Sequence, residues 1–99
     1  MESERLEWDD KKADANLRKH KVGFPEASTV LDGPYVTVEP DVGHAVTELR
    51  WLATGLSIRG QVLLVVFTMR GERARIISAR KATWAERREY ESQFGSWQG

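Results

Sequence analysis

Arg73, Arg75, Arg80 and Lys81 crowd into nine residues of a chain whose formal net charge is zero. Guanidinium groups match phosphate oxygens two at a time and stay charged at any working pH. In an extended segment alternate side chains share a face. On that rule Arg73, Arg75, Ile77, Ala79 and Lys81 project together, and Ala74, Ile76, Ser78 and Arg80 take the other face. Arg80 reaches the rim of the first group only if the strand twists or ends there. A second group, Lys12, Asn16, Lys19 and His20, falls at i, i+4, i+7 and i+8, one face of a helix. A third, Glu48-x-Arg50, sets a carboxylate and a guanidinium on the same side of a strand. Each charge taken alone reads as a solvated surface group with a weak ion-pair partner. Taken together they describe a polyanion site with a proton acceptor, His20 or Glu48, beside a phosphate clamp.

The chemistry is bounded by what is missing. The 99 residues contain no cysteine, which excludes disulfides, thiolate metal sites and cysteine nucleophiles and fits a cytoplasmic setting. No phosphate-binding glycine loop, zinc signature or serine-nucleophile elbow occurs, so no metal or other cofactor is expected. The longest apolar run, Val62 to Phe67, is too short to span a bilayer, and Met1 to Arg5 is too acidic for a signal peptide. Charge is segregated: residues 59–90 carry eight basic and three acidic side chains, while the remainder carries seven and twelve. Such a polar molecule binds an anion locally without bulk attraction to nucleic acid.

The elements that must position these groups follow from local signals. Leu6-Glu7-Trp8 alternates as a short strand would. Asp9 or Asp10 caps a helix running to about His20, with Ala13 and Leu17 as a thin apolar stripe. Pro25 suits the first turn of a second helix that buries Ala27, Val30 and Leu31. Tyr35 to Glu39 is rich in β-formers, and Pro40 to Ala45, which includes His44, reads as a loop. Leu49 to Ile58 reads as a strand in which Gly55 marks a bend or bulge. Gln61 to Met69 is the most apolar strand, expected to be central. Arg70-Gly71 turns into the arginine strand. Thr83 with Glu86 forms a capping box that ends this strand near Ala82 and starts a last helix. Tyr90, Phe94 and Trp97 give that helix an aromatic ridge, although Gly95 and Gly99 favour fraying. The expected architecture is α+β: one domain over residues 1–99, two N-terminal helices, a four-stranded antiparallel sheet, a C-terminal helix and a flexible tail over 93–99.

The pattern Trp8-Asp9-x-x-Lys12-x-x-x-Asn16-x-x-Lys19-His20-x-Val22-x-Phe24-x-x-Ala27 is followed by Asp32-x-Pro34, Glu48-x-Arg50 and Gly55-x-Ser57. It ends in Arg75-Ile76-Ile77-Ser78-Ala79-Arg80-Lys81-Ala82-Thr83-x-x-Glu86-Arg87-x-x-Tyr90-Glu91. From Leu6 to Glu91 this closely resembles the BrnT toxins of type II toxin–antitoxin systems. The resemblance implies a RelE-like fold and a ribonuclease activity that inhibits translation. It also implies a BrnA-like antitoxin with a ribbon-helix-helix domain, a toxin–antitoxin hetero-oligomer, and contact with operator DNA through the antitoxin. Two positions depart from the family pattern: Lys21 stands where relatives usually carry glycine, and Phe67 stands where they often carry His or Tyr. The tail from Gln93 lies outside the resemblance.

Residues and resemblance together point to metal-independent RNA cleavage. Arg75, Arg80 and Arg50 would clamp the phosphate, His20 or Glu48 would be the base, and Lys12, Lys19 and Lys81 would make secondary contacts or donate protons. Arg73 would add to RNA binding. Two other classes use the same surface: a nucleic-acid-binding module without catalysis, and a domain that docks an acidic segment of a partner protein.

Overall fold

The computed structural model describes residues 5–42 and 48–94. His44 and the rest of its loop core, Gly95, Trp97 and Gly99 lie outside the described residues. The chain runs β1 (Leu6–Trp8), α1 (Asp10–His20), α2 (Phe24–Leu31), β2 (Val36–Pro40), β3 (Trp51–Leu56), β4 (Val62–Arg70), β5 (Arg73–Lys81) and α3 (Trp84–Gln93). The strands form one sheet in the order β1-β5-β4-β3-β2.

The expectation of a four-stranded antiparallel sheet needs correction. β2 to β5 pair antiparallel as expected, but β1 adds a fifth strand that runs parallel to β5, with Glu7 opposite Arg75. The reason is apolar: Leu6 and Trp8 flank Glu7, and burying both against the core also pairs the first half of β5's outer edge. Leu6 is buried beside its partner Ala74, and the Trp8 ring meets Phe24 edge-on at 6.1 Å between centroids.

One face of the sheet packs on α1 and α2 through Val22, Phe24, Ala27, Val30, Ala53, Leu63, Val65, Phe67, Ile76 and Ala79. Each large aliphatic or aromatic member contributes roughly 1.5–3 kcal/mol by leaving water. β4 is the central strand, as its composition implied. β3 is regularly paired through Gly55, so the bulge expected there is absent. Gly55 serves a close approach instead. A Cβ at that position would meet Val30 Cγ1 at 3.0 Å and the Tyr35 carbonyl at 3.2 Å.

The bulge lies in β5. Phe67 pairs with Ile76 but Val66 pairs with Ser78, leaving Ile77 as the extra residue. Faces therefore change partners along the strand. Ala74 and Ile76, then Ala79, face the helices, and Ile76 and Ala79 are both buried. The grouping of Arg75 with Ala79 and Lys81, and of Arg80 with Ile76, is overturned by this one inserted residue.

α1 also differs from its apolar pattern. Leu17 is half exposed, and the buried residue of the helix is Asn16. Beyond Ile76 β5 has no neighbouring strand on its outer edge, and the Asn16 amide takes that place. Nδ2 donates to the Ala79 carbonyl at 2.9 Å and Oδ1 accepts from the Ala79 amide at 3.1 Å. Nδ2 also donates to the Val22 carbonyl at 3.0 Å. Asp9 caps α1 by accepting from Lys12 N at 3.0 Å. α1 ends at Lys21 in the left-handed region (φ 62°, ψ 28°), a conformation that favours glycine.

At the turn between β3 and β4, Ser57 Oγ donates to Glu26 Oε2 at 2.7 Å and Gln61 Nε2 donates to the same oxygen at 2.8 Å. The Ser57 of the resemblance thus ties this turn to α2. On the other side of the sheet stands α3. Its capping box is formed, with Thr83 Oγ1 accepting from Glu86 N and Glu86 Oε1 accepting from Thr83 N. Tyr90 hydroxyl donates to the Tyr35 carbonyl at 2.6 Å, and Phe94, directly after the helix, packs its ring on Tyr35 and Tyr90.

Candidate functional site

The sheet face turned away from α1 and α2 collects the charged groups. Alternation from the paired registers sets Glu7 on β1, Arg73, Arg75, Ser78 and Arg80 on β5, and Leu64, Val66 and Thr68 on β4 on that face. Leu52 and Thr54 on β3 continue it, as do Thr37 and Glu39 on β2. Arg50 precedes Trp51, whose side chain packs on the core, so Arg50 shares the side of Leu52. Its segment is held beside the sheet by Thr68 Oγ1, which donates to the Leu49 carbonyl at 2.7 Å. Asp41 N donates to the Arg50 carbonyl at 2.8 Å.

A cavity of about 340 Å³ opens on this face, lined by His20, Asp41, Leu52, Leu64, Val66, Ser78, Ala79 and Arg80. The bulge brings Ser78 and Arg80 here together. The Asn16 bonds to Ala79 fix the strand between them, and the same helix carries His20 at its last turn. Ser78 and Asp41 were not among the residues expected from sequence. A signal for Ser78 did exist: apolar positions at 74, 76 and 79 break a period of two, which is how an inserted residue looks in sequence.

Every guanidinium of the expected clamp has a carboxylate partner. Arg80 makes a two-pronged pair with Glu86, Nη1–Oε1 and Nη2–Oε2 both at 2.9 Å. Hydrogen bonds from Arg80 hold the Glu86 carboxyl down at about 2, helped by the Thr83 amide and opposed by burial. The same pairing raises Arg80 above its ordinary value. Arg75 donates to Glu7 Oε2 at 2.9 Å, and Arg73 stands 3.7 Å from Glu7 Oε1. Arg50 Nε lies 3.7 Å from Glu48 Oε2, an ion pair too long for a hydrogen bond, and is a buried donor without a hydrogen-bond partner among the described residues. Arg50, Arg73, Arg75 and Arg80 thus face the carboxylates Glu7, Glu48 and Glu86, and Asp41 in the cavity wall adds a fourth, so the four guanidiniums are balanced in formal charge. The Arg80–Glu86 pair is the more exposed and the Arg75–Glu7 pair the more covered, so an incoming phosphate displaces the carboxylate from Arg80 at the lower cost.

The remaining expected residues spread outward. Lys12 and Lys19 are exposed on α1, either side of the buried Asn16. Lys81 is exposed at the end of β5, opposite the buried Leu63, and so on the helix-facing side rather than beside Arg80. Glu48 is exposed and is not part of the cavity wall that holds His20. Among the described residues no three His, Asp or Glu side chains gather where a metal ion could be held. No helix among them is long and apolar enough to cross a membrane.

Comparisons with known proteins agree with this fold. The chain is similar to the Brucella abortus ribonuclease toxin BrnT, known from a crystal structure, with a TM-score of 0.64 and 24% identity over 82% of this chain and 99% of that one. At that identity the likeness speaks for the fold alone. No curated protein matches the chain. The family model described as the ribonuclease toxin, BrnT, of type II toxin–antitoxin systems matches residues 8–86, from the end of β1 to the first turn of α3. The chain therefore belongs to the BrnT family of ribonuclease toxins of type II toxin–antitoxin systems.

Proposed function

We propose that the protein cleaves RNA endonucleolytically without a metal ion, and that the cavity between His20 and Arg80 is where it does so. The 2′-hydroxyl of one nucleotide attacks the adjacent phosphorus as His20 takes its proton. The P–O5′ bond then breaks, a cationic neighbour protonates the leaving 5′-oxygen, and a 2′,3′-cyclic phosphate remains. Arg80 and Arg75, joined by Arg50, hold the phosphate and balance the charge that builds on its oxygens. Such preorganised stabilisation is often the largest single contribution to catalysis. Glu48 is the alternative base, but His20 is favoured because it shares a cavity wall with Arg80 and Ser78. Lys12, Lys19, Arg73 and Lys81 make outer contacts to the RNA backbone, and Lys12 is a candidate proton donor.

The observation that carries this reading is the bulge at Ile77, which turns Ser78 and Arg80 onto the face already occupied by Arg73 and Arg75. Membership of the family implies an antitoxin. We take it to be BrnA-like, with a ribbon-helix-helix domain, and the setting to be the cytoplasm, with the RelE-like kinship of the fold part of the same reading. The test is one incubation of purified protein with RNA, with and without EDTA. Cleavage that leaves cyclic phosphate ends and survives EDTA is expected. Arg80→Ala and Arg75→Ala should each lose about a hundredfold or more in rate while remaining folded. Full activity in both variants, or activity abolished by EDTA, would overturn the mechanism.

The carboxylate partner on each arginine favours a second reading, in which the surface binds nucleic acid and cuts nothing. It would give steeply salt-dependent binding with intact strands.

A further inference from the structure

A second cleft, of about 430 Å³, lies on the same sheet face and shares its floor, Leu52 and Leu64, with the cavity of His20. The Arg80–Glu86 pair stands between the two, since Arg80 lines one and Glu86 the other. The volume falls within the roughly 300–1,000 Å³ of small-ligand sites. One wall is α3, which is fixed over the sheet by Tyr90 through its bond to the Tyr35 carbonyl. The rim carries acceptors, chiefly the carboxylates of Glu39 on β2 and Glu89 on α3, with Gln93 nearby. The second cleft is therefore the more acidic of the two: Glu39, Glu86 and Glu89 line it without a cation, whereas the cavity of His20 sets Arg80 against Asp41.

We infer that this acidic cleft receives the guanine base of the nucleotide adjoining the phosphate held by Arg80, and so sets where RNA is cut. The inference rests on the ribonuclease reading of the neighbouring cavity. Two carboxylates repel a phosphate, so the part of a polynucleotide that enters is the uncharged base. The apolar floor of Leu52 and Leu64 suits the flat face of a base. Sequence-specific reading of single-stranded RNA works through such splayed-out bases and their hydrogen-bonding edges. A carboxylate presents two parallel acceptors. Guanine alone among the four bases presents two adjacent donors on its Watson–Crick edge, N1–H and N2–H. Adenine and cytosine offer one exocyclic amine and uracil one ring N–H, each beside acceptors that a carboxylate repels.

Two measurements test this with the whole protein. Cut sites mapped on a mixed RNA should show guanine enriched at one fixed position beside the scissile bond. Glu39→Gln with Glu89→Gln, a pair outside the cationic site, should flatten that enrichment while cleavage at other sites persists. Independently, 5′-GMP should shift the methyl resonances of Leu52 and Leu64 and bind about tenfold tighter than 5′-AMP, 5′-CMP or 5′-UMP. Tenfold lies inside, and toward the lower side of, the discrimination a good two-bond base contact supplies. In the double variant GMP should bind no better than AMP. A cut pattern without base preference, a preference untouched by the double variant, or GMP no better than AMP in the parent protein would each overturn the assignment. If the parent cuts no RNA, the ribonuclease reading fails, and the nucleotide titration alone decides the cleft.

Discussion

Replacing Asn16 with alanine should cost more than any other polar substitution on α1. Its amide closes three hydrogen bonds, at 2.9, 3.0 and 3.1 Å, to the main chain of Ala79 and Val22. The side chain is almost wholly buried. Alanine leaves one amide and two carbonyls without partners, and each buried group stranded in this way costs about 1–3 kcal/mol. Taking the low end for each, because water can enter the vacated space, the loss is about 3 kcal/mol. That is a large share of the roughly 5–15 kcal/mol that holds a domain together. Near the midpoint it corresponds to a fall of roughly 12–24 °C in Tm for a domain of this size. Urea unfolding followed by tryptophan fluorescence reads it directly, as a lowered midpoint at constant slope. Lys12→Ala, one turn away on the same face but exposed, should stay within about 0.5 kcal/mol of the parent. RNA cleavage should fall with Asn16→Ala even below the unfolding transition, because Arg80 follows the strand that Asn16 anchors. Asn16→Asp keeps the acceptor but turns a carboxylate oxygen toward two carbonyls, so it should be no better than alanine at neutral pH and should recover in acid. A loss below about 1 kcal/mol for Asn16→Ala would refute the idea that this amide substitutes for a missing strand.

Three further outcomes follow from local geometry. Glu86 has its carboxyl lowered from 4.5 to about 2 in the folded chain, so its stabilising effect is complete above about pH 4.5 and is lost as pH falls toward 2. Because the side chain is about one-third exposed, the contribution after solvent screening is about 1 kcal/mol. Unfolding free energies from urea titrations of the parent and Glu86→Gln should differ by that amount at pH 6 and converge near pH 2, and a constant gap would contradict the assignment. Lys21→Gly should raise stability by about 0.5–1 kcal/mol, since a left-handed backbone penalises any residue with a Cβ; a lower midpoint would count against it. Gly55→Ala should lower stability by about 1–3 kcal/mol, because the new methyl meets Val30 and an immovable carbonyl, and a neutral result in the same assay would show that α2 can give way.

Most of the framework could be read from residue order because its signals are local. Asp9, Pro25 and the Thr83–Glu86 box state helix starts in the chemistry of single turns, and Arg70-Gly71 states a hairpin. What escaped depends on distant partners. Leu6 to Trp8 looks like a strand, but only the far end of the chain shows which strand it pairs with. Asn16 looks like a surface polar residue until the gap along β5 is seen. The cationic groups were legible by type, and Arg50, Arg75, Arg80 and His20 do lie on or around one sheet face. Their carboxylate partners were not, since Glu7 and Glu86 reach the arginines through pairing and through a helix start. The inserted Ile77 mattered most, because a single extra residue exchanges the two faces of everything downstream.

The pairing of the first strand with the fifth has a bearing on how the protein is born. Glu7 and Arg75 are 68 positions apart, and contacts so distant in sequence form late. A nascent chain emerges from its N-terminus onward, so the first strand waits without its partner until the chain has grown past Arg75. The arginines of β5, the bulge and the helix start that orders Arg80 all come after α1, α2 and the other four strands. A chain laid out in this order has no assembled cationic face until β5 and the start of α3 have been made.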